Sequence, residues 1–472
     1  MDKQQEIKML HSCPVAWQAQ NNPQQIAVKT DQCELSYAQL HNLINSLSAQ
    51  LIQHKMKKGD RLASIAKNGL PLYLLQLTCL RNGFIFCPIN PNFSQAEITQ
   101  RLNRLDTIFI YQEGVDNNLP LDFSNSSEQA PLRSELSIDP SDIISIIFTS
   151  GSSGLPKAVM HHFSNHFYSA LGSQSIIPLN VGDNNLLSLP MFHISGYATV
   201  MRTVLAGATL VISEAKILVQ QLKNAEITHL SLVSTQLQQL LLDETFKQNL
   251  LPIKHLLLGG SAFPAALLTE TGKRGFTYHL SYGSTEMASQ IATSTNDQIL
   301  KLLPYRLLKI IDDEIQLSGQ TRFAGYFNSD SQSALIDKKH YFASADLGEL
   351  DEIEDGKIVR IIGRKDRQFI SGGENIQPEE IEKVLLTSTA ISQAFVLPID
   401  DSRYGQRPIA FVKWTNNENA QALKAFIKDQ LVAFKRPLYY FSFPEQQGLK
   451  PNRKQLTALA ASLLGKDNSQ KS

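Results

Sequence analysis

The stretch TSGSSGLPK at residues 149–157, directly after the apolar run IISIIF at residues 143–148, decides how the rest of the chain is read. Gly151 and Gly154 open backbone angles closed to other residues, so successive N–H groups can converge on anionic oxygens. The hydroxyls of Thr149, Ser150, Ser152 and Ser153 and the ammonium of Lys157 add donors, as a polyphosphate cradle requires. A Walker loop needs four residues between its glycines, then Gly-Lys-Ser/Thr with that last hydroxyl on magnesium. Here Pro156 precedes the lysine and Ala158 follows it, so the Walker type of kinase and GTPase chemistry is excluded. On turn composition alone, a flexible surface linker is the other reading.

At 472 residues and 42% hydrophobic content, the chain is too long for one ordinary core and implies two or more folding units with room for a closed pocket. Lys plus Arg and Asp plus Glu each number 44, so no overall field favours nucleic acid or an anionic membrane; a small, neutral or modestly charged partner fits better. Cys13, Cys33, Cys79 and Cys87 lack CxxC spacing, and a chain this large needs no disulfide staples, which points to reduced thiols in the cytoplasm. The start MDKQQEIKML has no export-signal pattern. The most apolar long stretch, residues 186–212, holds Pro190, His193, Gly196, Arg202 and Gly207 and reads as interior strand and helix, with no membrane insertion.

Outward from the opening loop, Ser36 and Gln39 form a capping-box pattern ahead of Leu40, Leu43, Ile44, Leu47 and Leu51 at helical spacing. Short apolar runs at 143–148, 210–212 and 255–258 are bounded by glycine or polar turns, as in strands buried on both faces. The first two-thirds is therefore layered α/β. Composition shifts near Gly363, where GRKDRQ leads into SGGENIQPEE; Pro378 suits a first helical turn, and Glu379 and Glu380 suit its positive end. A smaller α+β unit of short strand, helix and short strand follows, and the polar residues from Gly465 onward have too little apolar content to fold.

Two further segments carry chemistry. Tyr282-Gly283-Ser284-Thr285-Glu286 follows Gly259-Gly260-Ser261 and sets a hydroxyl beside a carboxylate after a tight turn. Since Lys157 has no metal-binding hydroxyl after it, Glu286 is the hard-ligand candidate for magnesium, a solvated surface carboxylate being the alternative. Asp346, before a glycine turn at Gly348, could accept both hydroxyls of a ribose or simply cap that turn.

Together and in order, TSGSSGLPK, YGSTE, ASADLG, GRKDRQFISGGENIQPEEIE and GLKPNRKQL resemble the motifs of the adenylate-forming superfamily of acyl-CoA synthetases, luciferases and nonribosomal adenylation domains. The resemblance covers nearly the whole chain. It implies a large layered α/β N-terminal domain over residues 1–365 and a small mobile α+β domain over 366–472, with the hinge at Asp366. By the same resemblance Thr149, Ser150, Gly151, Ser152, Ser153, Gly154 and Lys157 hold the phosphates of ATP, Thr285 the α-phosphate, and Glu286 the Mg2+. Tyr282 with Gly283 and the Gly259-Gly260-Ser261 turn flank adenine, and Asp346 and Arg364 bind the ribose. Lys450, in a Lys-x-x-Arg pattern with Arg453, becomes the catalytic lysine, although alone it would read as a solvated side chain. The chemistry explains the need: carboxylate attack on the α-phosphate brings two anions together, and a nearby ammonium stabilises the charge that builds. Gly372 and Gly373 border the channel for the thiol of coenzyme A by resemblance, whereas two adjacent glycines by themselves mark a bulge or hairpin. Ala345 stands where the family has glycine, and Pro451 stiffens the backbone after Lys450.

The acyl pocket is expected around LPMFHISGY at residues 189–197, with His193 as gate and Ser195 beside it; a lone histidine in an apolar run also reads as a core residue. Arg202 is more telling. Its guanidinium stays charged and is costly inside without an anion, so it meets either an internal Asp or Glu or a second carboxylate on the substrate. The LPxFHxSG segment with an arginine at this spacing, ISGGENIQPEEIE and YGQRPIAFV resemble the bacterial o-succinylbenzoate-CoA ligase family of menaquinone biosynthesis. That implies activation of a small dicarboxylic acid with ATP, Mg2+ and coenzyme A. Another aryl or medium-chain acid remains the alternative, and the chain gives no sign of its oligomeric state.

Overall fold

The computed structural model describes residues 3–115, 119–124, 137–149, 156–213, 218–224, 226–261, 263–328, 341–354, 356–401, 403–415, 420–428, 430–444 and 453–469. Its backbone is a 13-stranded sheet, a 6-stranded sheet and a smaller 5-stranded sheet, with helices packed on them.

Six neighbouring strands of the largest sheet run parallel: Tyr278–Ser284, His255–Gly259, His229–Leu232, Asn184–Leu186, Thr209–Ile212 and Ile26–Thr30. Thr209–Ile212 is buried throughout, which is why residues 210–212 read as a continuous apolar run, whereas Asn184–Leu186 and His229–Leu232 are also largely or wholly buried but carry Asn185, His229 and Ser231 inside. Beyond Tyr278–Ser284 the sheet turns antiparallel through Ser289–Thr293, Leu300–Leu302, Gly356–Arg364, Phe342–Ile353, Glu314–Gly319 and Arg306–Ile311. The second sheet carries the opening motif, since Ile143–Thr149 and Lys157–His162 form an antiparallel hairpin with Thr149 opposite Lys157.

Local signals in the chain account for several helix starts. The helix Tyr37–Gln53 begins at a Ser36 cap whose own N–H donates back to the Gln39 side-chain oxygen, and it buries Leu40, Leu43, Ile44, Leu47 and Leu51. Burying each of those aliphatic side chains contributes roughly 1.5–3 kcal/mol, so this face outweighs the cap by far. In the smaller unit Pro378 opens the helix Pro378–Leu385, whose Ile381 and Leu385 pack with Ile376, Val396, Ala410 and Val412.

Three expectations need correction. The strands of the small unit are long: Ile391–Asp401 pairs with Gly405–Trp414 along almost their whole length. The polar residues from Gly465 onward are expected to stay unfolded on composition, yet the helix Arg453–Ser469 runs through that position. Leu456 and Ala460 are buried in the small unit's second apolar cluster and fix the first turns, after which adding helical residues is cheap even where composition is polar. Finally, Gly348 is no turn. Asp346 lies within the strand Phe342–Ile353, and a β-bulge falls between Leu347 and Gly348, where a Cβ would come 2.5 Å from the Arg360 carbonyl oxygen.

Among the described residues no helix is long and apolar enough to cross a membrane, and Cys13, Cys33, Cys79 and Cys87 are all free thiols.

Candidate active site

Ligands of open α/β sheets gather outside the carboxyl ends of parallel strands. Here those ends carry the turn starting at Gly259 and the segment Tyr282 to Glu286, from adjacent strands with Gly259 opposite Ser281. Gly260 adopts φ +86°, the left-handed region that glycine fills without strain. Gly283 is needed for space: a Cβ there would lie 2.1 Å from the Ser289 carbonyl oxygen, where the neighbouring strand bulges. The expected tight turn before Thr285 is in fact the end of a strand, followed by a 3₁₀ turn over Thr285–Met287 that presents Glu286.

Four predicted residues converge. The Tyr282 hydroxyl donates to Asp346 Oδ2 at 2.6 Å, and Arg364 Nη1 pairs with Asp346 Oδ1 at 3.0 Å. Arg364 also reaches Asp366, through Nε at 3.1 Å and Nη2 at 3.3 Å. Asp346 and Arg364 face each other across two paired strands, so the sheet register sets their meeting. Burial pulls the Arg364 pKa down, but the carboxylates of Asp366 and Asp346 more than reverse this and push it up. Burial, and then the charge of Asp346, pushes the Tyr282 phenol well up, so it remains a proton donor.

Tyr326 is the residue that sequence reasoning missed. Its hydroxyl donates to Glu286 Oε1 at 3.0 Å, and Lys157 Nζ lies 5.1 Å from the centre of its ring. Burial, then Glu286, raises its pKa and keeps the phenol protonated. The ring thus links the lysine of the opening motif to the acidic turn, aided by strand pairing between Gly325–Tyr326 and Lys157–His162. A second missed residue, Glu314, takes the backbone N–H of Ala345 on Oε1 at 2.9 Å and the Lys365 ammonium on Oε2 at 2.9 Å. Ala345 sits at φ +59°, which explains why glycine is the easier residue there and what holds the alanine in place.

The arrangement suits a nucleotide with its magnesium. Among the described residues no three or more His, Cys, Asp or Glu side chains group to hold a metal ion. A magnesium ion that arrives on phosphates needs only one or two protein carboxylates, a demand that a single carboxylate such as Glu286 could meet. Ser284 Oγ, directly before Thr285, is buried and has no hydrogen-bond partner among the described residues, as a donor awaiting a ligand would be. Ser150, Gly151, Ser152, Ser153 and Gly154 lie outside the described residues, as do Lys450 and Pro451.

The segment expected to form the acyl pocket leads into the helix Ile194–Ala206, with His193, exposed, in the N-cap position. Gly196 lets the chain at residues 189–190 pass: a Cβ would lie 2.2 Å from the Pro190 carbonyl oxygen. The Asn68 side chain holds the same segment, donating to Leu189 O at 2.9 Å and accepting from Met191 N at 2.9 Å. Ser195, Thr199 and Arg202 recur at i, i+4 and i+7 and so share one face. Arg202 Nη2 donates to Thr199 Oγ1 at 3.1 Å, and the guanidinium lines a narrow cavity with Asn185, His229, Ser231 and His255. Burial alone pushes its pKa down to about 10, and no Asp or Glu pairs with it among the described residues. The internal-carboxylate alternative for Arg202 therefore finds no partner there.

At the junction with the small unit, Asp366 is held by Arg364, and its carbonyl oxygen accepts from Arg453 Nη1 at 3.0 Å. Gly372 and Gly373 form a two-residue hairpin turn, Ser371 opposite Glu374, with φ of +59° and +89°. Glycine is used there for the turn itself.

Residues 15–320 match the AMP-binding enzyme family and residues 380–447 the AMP-binding enzyme C-terminal domain. The chain is 31% identical over 437 residues to a 2-succinylbenzoate–CoA ligase of Escherichia coli strain K12, covering 91% of this chain and 94% of that one. Among solved structures it is similar to an o-succinylbenzoate-CoA synthetase from Bacillus subtilis in complex with ATP and magnesium ion. That pair has a TM-score of 0.83 and 27% identity, covering 94% of this chain and 99% of the other. The Bacillus subtilis enzyme in complex with its acyl-adenylate intermediate aligns with the same TM-score, 0.83, at 27% identity, covering 94% of this chain and 98% of the other.

Proposed function

This chain belongs to the AMP-binding enzyme family, and we propose that it joins 2-succinylbenzoate to coenzyme A through an acyl-adenylate. It is an AMP-forming acid–thiol ligase that uses ATP and Mg2+. The substrate carboxylate attacks the α-phosphorus of ATP and expels pyrophosphate; the coenzyme A thiol then attacks the acyl carbon and expels AMP, losing a proton. The observation that carries the substrate assignment is Arg202, a largely buried cation without an internal carboxylate partner among the described residues, on the face that also bears Ser195. A second carboxylate on the acid would neutralise it in bidentate fashion. His193 and Ser195 would line the entrance to that pocket.

The roles at the nucleotide follow from the groups present. Asp346, oriented by Tyr282 and Arg364, would accept from the ribose hydroxyls, and the Gly259-Gly260-Ser261 turn would border adenine. Glu286 would hold magnesium, which would supply neutralisation of phosphate charge and orientation of the leaving group. Thr149, Lys157 and Thr285 would meet phosphate oxygens, together with residues 150–154. Lys450 would stabilise the negative charge that develops during attack.

The large sheet's strand Gly356–Arg364 gives way to the small sheet's Phe369–Ser371, which supports a hinge at Asp366 between domains 1–365 and 366–472. Gly372 and Gly373 would then border the thiol channel in one domain arrangement. Four free thiols suit a cytoplasmic enzyme.

The test is to combine the purified protein with magnesium-ATP, coenzyme A and o-succinylbenzoate, benzoate or octanoate, and to follow AMP and thioester by mass-resolved chromatography. Thioester from o-succinylbenzoate alone is expected. Product mainly from a monoacid would keep the two-step chemistry and overturn the substrate.

A further inference from the structure

We propose that His161 is a positioning residue for adenylation, pinning the turn that carries Glu286 to the hairpin that carries the phosphate loop. The inference rests on the reading of Glu286 as the magnesium ligand and of residues 149–157 as the phosphate cradle.

His161 lies on Lys157–His162, the strand whose first residue pairs with Thr149 across the hairpin. Its side chain is fully buried, and Nε2 lies 2.7 Å from the Thr285 carbonyl oxygen. A carbonyl only accepts, so Nε2 carries the proton and donates. Nδ1 then has the lone pair and takes the hydroxyl proton of Ser145 at 3.3 Å, while Ser145 Oγ accepts from His166 Nε2 at 2.9 Å. One carbonyl thus fixes the proton order along His166, Ser145, His161 and Thr285. Burial pushes the His161 pKa down to about 4 and that of His166 well down, so both rings are neutral around pH 7 and this order persists.

The turn over Thr285–Met287 is held at three carbonyls. His161 donates to Thr285 O, the Phe323 N–H donates to Glu286 O at 2.8 Å, and Ser169 Oγ donates to Ala288 O at 2.6 Å. Ala288, which closes the turn, has φ +52°, a left-handed angle that an alanine keeps only when its surroundings fix it. Of the three clamps, His161 is the one that comes from the phosphate-loop hairpin. An imidazole is a poor filler for a fully buried site unless its nitrogens are used, because an unpaired buried polar group is costly. Its role is therefore to transmit the hairpin's position to Glu286, so that the groups expected on the two sides of one metal–phosphate assembly stay in register.

His161→Leu removes the donor at similar volume, and His161→Gln keeps an N–H near the Nε2 position. Pyrophosphate release by the full-length enzyme, with magnesium, ATP and acid titrated separately, reads the effect, and thermal melts monitor folding. His161→Leu is expected to raise the half-saturating magnesium concentration at least fivefold and to lower the adenylation kcat at least tenfold. KM for the acid should stay within twofold, and His161→Gln should recover to within about threefold of the parent enzyme. A folded His161→Leu enzyme with the parent's magnesium dependence would overturn the proposal, as would a Gln variant no better than Leu. Should the Leu variant not fold, Ser145→Ala decides: freeing the Nδ1 side should shift magnesium half-saturation two- to threefold, and no shift counts against the pin. Glu286→Gln runs alongside. Unaltered magnesium dependence in that variant removes the metal reading and this proposal with it; a response there and none at His161 removes only the pin.

Discussion

Replacing Arg202 by methionine should affect stability and substrate use in opposite directions. In the ligand-free protein the guanidinium is largely buried and no Asp or Glu pairs with it among the described residues. Burial lowers its pKa to about 10, and at about 1.36 kcal/mol per unit below its ordinary value this corresponds to about 3 kcal/mol of desolvation carried by the folded state. The sign follows from linkage. A base whose folded pKa is depressed destabilises the fold at every pH below that folded value, and the cost is relieved only as pH rises past it. At pH 7 the penalty is present in full, so Arg202→Met, which fills similar space without charge, should stabilise the apo enzyme by up to about 3 kcal/mol. Binding reverses the balance, since removing one partner of a desolvated charge pair costs roughly 2–5 kcal/mol, or about 30- to 4,000-fold in kcat/KM for a diacid. A monoacid should lose far less. The assay pairs urea unfolding of the apo variant with kcat/KM for o-succinylbenzoate and for benzoate. A variant less stable than the parent would reveal an internal anion on Arg202, and equal losses for diacid and monoacid would refute its contact with a second carboxylate.

If Lys450 has the proposed role, its charge is needed only while the two anions meet, so Lys450→Ala should abolish pyrophosphate release while sparing thioester formation from supplied acyl-adenylate; equal loss in both steps, followed by single-turnover chromatography, contradicts that role. Gly283→Ala should destabilise the large domain by about 2 kcal/mol or more, since its Cβ would fall 2.1 Å from the Ser289 carbonyl oxygen, and urea unfolding with ATP titration would register loss of both stability and nucleotide affinity. Stability should also fall as pH drops from about 6.5 toward 4. His161, His229 and His279, buried and neutral with pKa values of about 4, bind fewer protons folded than unfolded in that window, whereas above 6.5 these groups contribute no slope; unfolding midpoints across pH 4 to 8 test the sign.

What could be read from the chain was what neighbours along it determine. The Ser36 cap with Gln39, the proline opening Pro378–Leu385 and the apolar strands each carry their cause within a few residues. The motif residues were legible as chemistry, yet their geometry was not. Asp346 could be named, but its placement in a strand opposite Arg364 depends on pairing between Phe342–Ile353 and Gly356–Arg364. Tyr326 escaped notice because its phenol serves Glu286, 40 residues away, and His161 because its carbonyl partner is 124 residues away. Neither carries a local pattern that separates it from an ordinary core aromatic or histidine. Glu314 is similar: a carboxylate in a strand gains meaning only when the left-handed Ala345 backbone arrives beside it. On the proposed reading, motif residues supply the groups that meet substrate, and residues from distant strands fix where those groups stand. For this enzyme the second set is testable separately from the first. Removing Glu286 or Lys450 should delete a chemical function, whereas removing the His161 donor should leave every ligand-facing group present and change only how well they line up.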